Sequence, residues 1–372
     1  MRMVFLVMLV VLFELCSYVV ARGLFWLVQP YLSIGRTVII LATIVISNLF
    51  LLPLFFGQFR LVVGYLAVLW LGVLAMLIVF TISFLAQKLM PFSGWSFDVG
   101  IRLFGVLIFG GLLGLSVYNA YSPTVRHLSI QIDKPMANPV RLAMVSDLHL
   151  GSLFGARQLH QLADILRTEK VDTLLIPGDI MDDNTKAYEM QNMKSAFGDV
   201  VRATKNGVFA SLGNHDLYDI KSRQAIVNAV RATKTVLLDD KVGVFEVGGV
   251  PLSIIGRYDD HVIDRKTTTE LMAQLPKEAL KNPVILLDHR PSQIDDNVAL
   301  PIDLQVSGHT HHGQVFPANL IVKMLYRVAY GHKKIDSTHI IVSSGYGFWG
   351  VSFRLGSQSE IWVIEMHGKH QK

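Results

Sequence analysis

The stretch AMVSDLH, residues 143–149, decides how the sequence is interpreted, because a short apolar run ends abruptly at two potential metal ligands, Asp147 and His149. The same pattern recurs in LLIPGD (174–179), FASLGNHD (209–216), ILLDH (285–289) and LQVSGHTHH (304–312). Short apolar runs bounded by turn residues are typical of buried strands. Open α/β sheets place their binding sites at the carboxyl ends of strands. We therefore predict an α/β domain in which these five strand ends meet.

Short β-branched runs alternate with helical segments through the second half of the chain. Strands are predicted at residues 125–132, within a linker, and at 142–146, 173–177, 208–212, 284–287, 304–306 and 339–343, and helices at 156–168, 186–204, 223–233 and 268–275. Residues 242–255, interrupted by Gly248 and Gly249, are predicted to form a hairpin. This alternation indicates a layered α/β fold.

Composition divides the 372-residue chain into two parts. Residues 1–122 contain six basic and two acidic residues, a net charge of +4, whereas the rest contains 28 basic and 27 acidic residues, a net charge of +1. All 13 histidines lie in the second part. Because this part is nearly neutral, it lacks the basic face of a nucleic-acid-binding domain, and no nucleic acid is expected as a partner. The single cysteine, Cys16, excludes a disulfide within the chain.

Four apolar stretches in the first part predict transmembrane helices at residues 4–20, 37–56, 61–86 and 103–121. A membrane-spanning helix needs roughly 20 apolar residues, with about 17 as the short limit. The first stretch is long for a signal peptide and no small-residue cleavage site follows it, so we interpret it as a span. Glu14 within it either has a function or packs against another helix. The predicted domains are a four-helix membrane anchor at 1–122, a linker at 123–140 and a catalytic domain at 141–372.

The protein is expected to be a multi-pass protein of the plasma or inner membrane, with membrane lipids among its partners. Four spans place the N-terminus and the catalytic domain on the same side. Basic residues in short loops mark the cytoplasmic side. The loops on the far side hold Arg22, Arg36, Lys88 and Arg102, whereas the near side holds Arg2, Arg60 and Arg126. This small excess favours an extracytoplasmic catalytic domain.

The five strand ends carry carboxylate and imidazole groups and no thiolate. This mixture suits Mn²⁺, Fe or Zn²⁺ and argues against a structural zinc site. A single Asp at a strand end is usually a helix cap, and a single His is usually a satisfied polar residue. Five clusters in one domain instead favour a metal centre. A carboxylate can bridge two ions about 3.5–4 Å apart, and a hydroxide held between such ions can attack a phosphoester.

The order of the five motifs resembles that of the calcineurin-like metallophosphoesterases. The motifs are DLH (147–149), GDIMD (178–182), GNHD (213–216), the histidine of LDHRP (287–291) and GHTH (308–311). The resemblance runs from residue 141 to the C-terminus. The variants LDHRP, GHTHHGQ and YGFWGVSFRLG are most similar to the transmembrane members, which resemble phosphodiesterases more than protein phosphatases. The resemblance implies a four-layer α/β/β/α sandwich.

The resemblance also implies two divalent metal ions and the residues that hold them. One ion would be held by Asp147, His149 and His311, the other by Asn214, His289 and His309, with Asp179 bridging the two. His215 would face the substrate, stabilising the transition state or protonating the leaving oxygen, and Asp216 would orient it.

Three residues are candidate substrate contacts: Arg257 in IIGRYDD, His312 after GHTH, and Arg354. Arginine suits bidentate binding of phosphate. A salt bridge from Arg257 to Asp259 or Asp260, and a loop position for His312, are the plainer interpretations.

Two further segments near the ligands have two interpretations each. The aromatic residues Tyr346, Phe348 and Trp349 either wall the pocket or lie buried in a returning strand. The amphipathic segment 319–330, NLIVKMLYRVAY, either lies on the membrane surface and admits lipid-linked substrate or packs on the domain as an ordinary helix.

The leading functional prediction is a membrane-anchored, metal-dependent phosphoesterase that hydrolyses a phosphodiester or pyrophosphate bond, with a lipid-linked substrate as one option. A phosphomonoesterase acting on a small or lipid phosphate is the alternative within the hydrolases. A catalytically inactive membrane-bound sensor or scaffold is the alternative of another class. It is disfavoured because every ligand type is present and none is replaced by an apolar residue.

Overall fold

The computed structural model describes residues 2–53, 59–89 and 94–369. The chain forms two compact units, of which the first ends at Tyr118 and the second begins at Asn119. This division lies within the last helix of the apolar part of the sequence, four residues before the end of the predicted anchor.

Four helices occur in the first unit within the described residues: α1 (Arg2–Val28), α2 (Arg36–Leu49), α3 (Phe59–Leu89) and α4 (Trp95–Tyr121), whose last turn enters the second unit. Three of them contain stretches that are long and apolar enough to cross a membrane, namely Val10–Val28, Leu61–Leu89 and Phe97–Tyr121. The helix α2 has 14 residues. At about 1.5 Å per residue it is shorter than a hydrocarbon core of about 30 Å. The second predicted span, 37–56, lies outside the described residues at 54–56, so an anchor of four spans stays a prediction.

The second unit contains two six-stranded sheets within the described residues. In order across the first sheet, the strands are β1 (Thr124–Pro135), β12 (Glu360–Lys369), β2 (Val140–Met144), β3 (Thr173–Pro177), β4 (Val208–Ser211) and β5 (Val236–Leu237). Across the second sheet they are β10 (Gly331–Ile335), β11 (Thr338–Val342), β9 (Leu304–Ser307), β8 (Val284–Leu287), β7 (Val250–Gly256) and β6 (Lys241–Val247). Strands β2 to β5 are mutually parallel, and so are β7, β8, β9 and β11.

Alternating side chains on the strands build a core on each face of each sheet. Leu142 and Met144 of β2 pack against Ile285 and Leu287 of β8 between the sheets, whereas Ala143 faces the outer helices. On the first sheet these are α5 (Ala156–Glu169), α6 (Lys186–Met190), α7 (Met193–Arg202), α8 (Asn214–Leu217) and α9 (Ile220–Arg231). On the second sheet they are α10 (Thr268–Met272) and α11 (Ile294–Val298). The order helix, sheet, sheet, helix confirms the predicted α/β/β/α sandwich.

Two predicted segments differ from the structure. The predicted linker at 123–140 contains β1, in agreement with the strand predicted at 125–132, and β1 pairs in parallel with β12 and buries Ile130 and Ile132 between the sheets. It therefore belongs to the sandwich, and its partner strand lies at the other end of the sequence. The single helix predicted at 186–204 is divided into α6 and α7, because Asn192 takes a left-handed backbone conformation with φ of 48°.

Candidate active site

The loops that follow β2, β3, β4, β8 and β9 meet at one edge of the two sheets. They carry the seven predicted metal ligands: Asp147, His149, Asp179, Asn214, His289, His309 and His311. All but His309 are buried, and His309 is half-buried. Parallel strands bring residues that are distant in sequence to one point, because their carboxyl ends share an edge.

A left-handed backbone conformation occurs at five of these seven residues. The angle φ is 53° at Asp147, 42° at His149, 52° at Asp179, 67° at His309 and 46° at His311. For a residue with a Cβ atom this conformation costs about 1–3 kcal/mol, and such residues cluster at functional sites where the surroundings hold them. The turns at the strand ends thus adopt an unfavourable backbone conformation, and this conformation directs the five side chains into one space.

Glycines beside the ligands leave room for this approach. A Cβ atom on Gly213 would lie 2.2 Å from Oδ1 of Asp179, and one on Gly308 would lie 2.3 Å from Oδ2 of Asp147. Both separations are far below van der Waals contact. A glycine is therefore needed at each position for the neighbouring carboxylate to stay where it is.

The first predicted ligand group, Asp147, His149 and His311, is tightly clustered. The Nε2 atoms of His149 and His311 lie 3.2 Å apart, and Nε2 of His311 lies 3.4 Å from Oδ1 of Asp147. Ligand atoms of all three residues fall within 4.8 Å of one another. The side chains therefore converge as ligands of one ion would.

The second predicted group, Asn214, His289 and His309, also meets Asp179. Nδ1 of His309 is 2.9 Å from Oδ1 of Asn214. Oδ2 of Asp179 lies 3.1 Å from Nε2 of His289 and 3.6 Å from Nε2 of His149. One carboxylate oxygen thus contacts both groups, which is the position that a bridging ligand requires.

The polar atoms of this cluster fit divalent cations. Nε2 of His289, which lies 3.1 Å from Oδ2 of Asp179, is buried without a hydrogen-bond partner, although buried polar atoms are normally paired. The short contact of His289 with Asp179 therefore lacks the geometry of a hydrogen bond. The donor set of carboxylate, amide and imidazole groups also suits Mn²⁺, Fe or Zn²⁺. We conclude that the residues present fit a metal centre.

Electrostatics at the centre favour positive charge between the carboxylates. Burial disfavours a charged His289, but Asp179 outweighs burial and raises the pKa of His289 to about 10. Burial, with the charges of His289 and Arg290, lowers the pKa of His309 to about 3. A neutral imidazole has a lone pair free for a metal. The carboxylates that favour a proton on His289 would equally attract a metal cation to the same place.

His215 lies at the cleft but its partner is not the predicted one. Its Nδ1 atom lies 2.6 Å from Oδ1 of Asp183, on the loop after β3. The carboxylate of Asp216 instead accepts hydrogen bonds from the backbone N–H groups of Gly213, Ile180 and Met181 at 3.0, 3.1 and 2.9 Å. The prediction that Asp216 orients the imidazole is therefore corrected: Asp183 does so, and Asp216 joins two loops.

Two predicted substrate contacts are buried in the protein interior. Arg257 is 1% exposed; it pairs with Asp288 at 3.0 Å and donates to the carbonyl oxygen of Lys266. Neither Asp259 nor Asp260 is its partner in these bonds. Arg354 is 0% exposed, and its Nη2 atom donates to the carbonyl oxygen of Ser344 at 2.7 Å. Both guanidinium groups hold loops together and cannot reach a substrate in this conformation.

The third predicted contact, His312, is half-buried and stacks on the ring of Tyr330, with centroids 4.1 Å apart. It does not line the cleft over the metal ligands. That cleft has a volume of about 370 Å³, and its wall includes His215, Tyr218, Gln314, Val322 and Trp349. Of the three aromatic residues with two interpretations, Trp349 lines the cleft, whereas Tyr346 and Phe348 are buried.

Asp183 and Asp259 are the site residues that sequence reasoning missed. Asp259 is buried, and one of its oxygens lies within 4.8 Å of ligand atoms of His289 and His309. It also binds Arg290 at 3.1 Å. Asp183 directly follows the GDIMD motif, and this position beside a ligand motif could have identified it as a site residue from the sequence. No motif marked Asp259, which comes from the loop after β7.

Residues 140–313 match the family of calcineurin-like phosphoesterases. The chain is 31% identical over 258 residues to an uncharacterized metallophosphoesterase of Helicobacter pylori strain J99, covering 67% of this chain and 65% of that protein. It is 27% identical over 262 residues to the transmembrane protein with metallophosphoesterase domain of Bos taurus, covering 65% of this chain and 56% of that protein. The chain thus spans about two thirds or less of the length of these relatives.

Among solved structures, the 5'-nucleotidase precursor of Thermus thermophilus is 16% identical and superposes with a TM-score of 0.40, covering 61% of this chain and 55% of that one. A likeness at this level carries no argument about function.

The sandwich, the strand-end ligands and the family match together define a calcineurin-like metallophosphoesterase domain. Residues 140–313 of the chain therefore form a domain of this family, and among the relatives of the chain are proteins described as transmembrane proteins with a metallophosphoesterase domain.

Proposed function

We propose that the second unit hydrolyses phosphodiester or pyrophosphate bonds with the help of two divalent metal ions. One observation carries the proposal: an oxygen of Asp179 contacts a histidine of each ligand group, at 3.6 Å and 3.1 Å, directly beneath a cleft that His215 also lines. Two bound ions would supply an activated water and would stabilise negative charge on the phosphate oxygens.

The protein's own groups supply orientation and a proton. Asp183 holds Nδ1 of His215, which leaves Nε2 as the ring nitrogen available to a substrate in the cleft. A protonated imidazole there can donate to the leaving oxygen. The backbone N–H of His215 also donates to Oδ1 of Asp179 at 2.9 Å, so the same residue fixes the predicted bridging carboxylate.

The lining of the cleft supports a diester over a monoester. None of the described residues that line it is a lysine or an arginine. A monoester carries close to two negative charges near neutral pH, and proteins commonly bind such groups with arginine. A diester carries a single charge and a second substituent. Ala318, Val322 and Trp349 offer apolar surface for that substituent.

Hydrolysis assays on the detergent-solubilised full chain test this proposal. A chromogenic diester, a chromogenic monoester and an alkyl pyrophosphate would each be offered with Mn²⁺, Fe²⁺ or Zn²⁺. We expect turnover of the diester or the pyrophosphate to exceed that of the monoester. Preferred cleavage of the monoester would favour a phosphomonoesterase. Absence of turnover with every ion would favour an inactive sensor or scaffold.

We further propose that the first unit anchors the protein in the plasma or inner membrane with the catalytic unit on the extracytoplasmic side. Support comes from three helices long and apolar enough to span and from the basic residues of the short loops. Reporters fused to the two termini test it. Four crossings in the proposed orientation place both reporters on the extracytoplasmic side. Both reporters on the cytoplasmic side would reverse the orientation, and three crossings would place them on opposite sides.

A further inference from the structure

The helix α12 (Ala318–Leu325) exposes an unusual amount of apolar surface for its length. It has eight residues, none of them buried. Met324 is 80% exposed, Leu325 71%, Leu320 52% and Ile321 51%. Single exposed apolar side chains are ordinary in soluble proteins, but four on two turns of one helix form a contiguous patch that indicates an interaction surface.

The same helix forms part of the wall of the active-site cleft. Ala318 and Val322 line the cleft beside Gly313 and Gln314, whereas Leu320, Ile321, Met324 and Leu325 turn outward. Residues 318 and 322 are one turn apart and share a helix face. One face of α12 therefore borders the site of chemistry, and the neighbouring surface carries the apolar patch.

The segment around α12 contains no acidic residue that would repel an anionic lipid surface. Residues 314–330 contain Lys323 and Arg327 and no Asp or Glu. Lys323 is exposed within the apolar patch, and Arg327 pairs with Asp295. A short helix with large apolar side chains and lysine is typical of segments that lie in the interface of a bilayer.

The chain itself accounts for the presence of a bilayer near this helix. Its apolar helices can span a membrane, and only Ser122 and Pro123 separate the end of α4 from the start of β1. Two residues extend at most about 7 Å. Membrane lipid is therefore a constant neighbour of the second unit, whereas a second copy of the chain would have to be recruited.

We infer that α12 rests on the surface of the lipid bilayer and admits phosphoesters linked to a lipid from that surface into the cleft. This inference rests on the proposed function, because it names the substrate class of the same site. The apolar patch holds the acyl region of the bilayer at the cleft entrance, so that a headgroup phosphate can reach the metal ligands without leaving the membrane.

Fluorescence quenching tests the contact with lipid without using activity. In a Cys16→Ser background, a bimane label on Met324→Cys of the full chain would be measured in vesicles of phosphatidylcholine and phosphatidylglycerol that contain doxyl-labelled lipid. The control is Val244→Cys, an exposed apolar position on β6 (44% exposed). We expect clearly stronger quenching at residue 324. Equal quenching at both positions would overturn the inference. Shielding of residue 324 by a second copy, seen as a concentration-dependent dimer, would overturn it too.

Kinetics test the access of lipid substrate. The double variant Met324→Glu, Leu325→Glu and the control Val244→Glu would be assayed on a chromogenic diester in solution and on diacylglycerol pyrophosphate in the same vesicles. We expect the turnover of the lipid substrate by the double variant to fall by about tenfold or more, because two apolar side chains no longer contact the bilayer. Turnover of the soluble diester should stay unchanged. Equal losses on both substrates, or none on either, would contradict the inference. Failure of the wild type on both the soluble diester and a soluble alkyl pyrophosphate would instead refute the proposed function.

Discussion

Asp147 and Asp179 place two carboxylates in the protein interior within reach of the same histidines. Each is at most 1% exposed. Burial raises the pKa of Asp147, whereas for Asp179 the nearby His289 outweighs burial and holds the pKa well below its usual range. A buried charge is costly unless it is paired. The residues of this cluster therefore depend on positive charge between them, and divalent ions supply more of it than a shared proton.

His215 is predicted to be essential for turnover but dispensable for metal binding. It is absent from the two groups that contact Asp179 from either side, and it lines the cleft instead. His215→Ala should lower kcat by roughly 10²–10⁴-fold, the usual contribution of a proton donor. Metal content after dialysis should remain that of the wild type. His160→Ala, at a surface histidine that is 55% exposed, is the matched control. Loss of metal from His215→Ala would assign the residue to coordination.

The pH dependence of turnover should reveal the partner of His215. Burial acts to lower the pKa of His215, but the hydrogen bond to Asp183 outweighs it, so that this pKa lies above its ordinary value. A proton donor works only while protonated, so kcat falls as the pH rises through that pKa. Asp183→Asn removes the carboxylate and should move this fall to lower pH. Profiles of kcat against pH would show it, with Asp164→Asn at an exposed carboxylate as control. An unmoved profile would separate Asp183 from the chemistry.

Asp216 is predicted to act on stability. Its carboxylate accepts three backbone hydrogen bonds from two loops, so Asp216→Ala would leave three donors unpaired. The free energy of unfolding should fall by about 3 kcal/mol or more, since each buried unpaired donor costs about 1–3 kcal/mol. Denaturant titration of the full chain in detergent measures it. If stability is retained while kcat falls, the orienting role implied by the resemblance was right after all.

The turns that position the predicted metal ligands require glycine residues beside the ligands. A Cβ atom on Gly308 would lie 2.3 Å from Oδ2 of Asp147 and 2.6 Å from Oγ of Ser146. Gly308→Ala should therefore displace Asp147 and weaken Mn²⁺ binding by about 10–100-fold, as displaced ligand supports commonly do. Gly198→Ala on α7 is the control, because its nearest neighbours belong to the flexible side chain of Arg202. Calorimetric titration with Mn²⁺ gives both affinities, and equal values would contradict the steric argument.

Local pattern predicts most of the elements, and contacts between distant segments explain where it fails. The strands β3 and β8 coincide with the predicted ranges, because their apolar runs have clear turn residues at both ends. The alternating pattern predicts a strand at 125–132 but not the place of β1 in the sandwich, because its partner β12 lies more than 200 residues away in sequence. Likewise, the five motifs name the ligand types, but only the fold shows that Asp183 rather than Asp216 meets His215.

At the scale of the whole second unit, the candidate metal ligands come from both sheets. Asp147, Asp179 and Asn214 follow strands of the first sheet, whereas His289, His309 and His311 follow strands of the second. Bound ions would therefore link the two halves of the sandwich at one edge, in addition to the apolar core between them. Ligands that bind only the folded state stabilise it.

Metal removal should accordingly lower the melting temperature of this unit. At a metal concentration of 100 times Kd, the linkage amounts to about 2.7 kcal/mol, or roughly 5–10 °C for a unit of this size. Thermal unfolding of the full chain in detergent would be followed with Mn²⁺ and after treatment with a chelator. The double variant His149→Ala, His311→Ala should lose most of the difference, because it lacks two ligands of one group. The melting temperature of this double variant without metal gives the baseline. Equal melting temperatures with and without every divalent ion in the wild type would show that the cluster holds no ion, and that the buried carboxylates are balanced by the protons on their histidines alone.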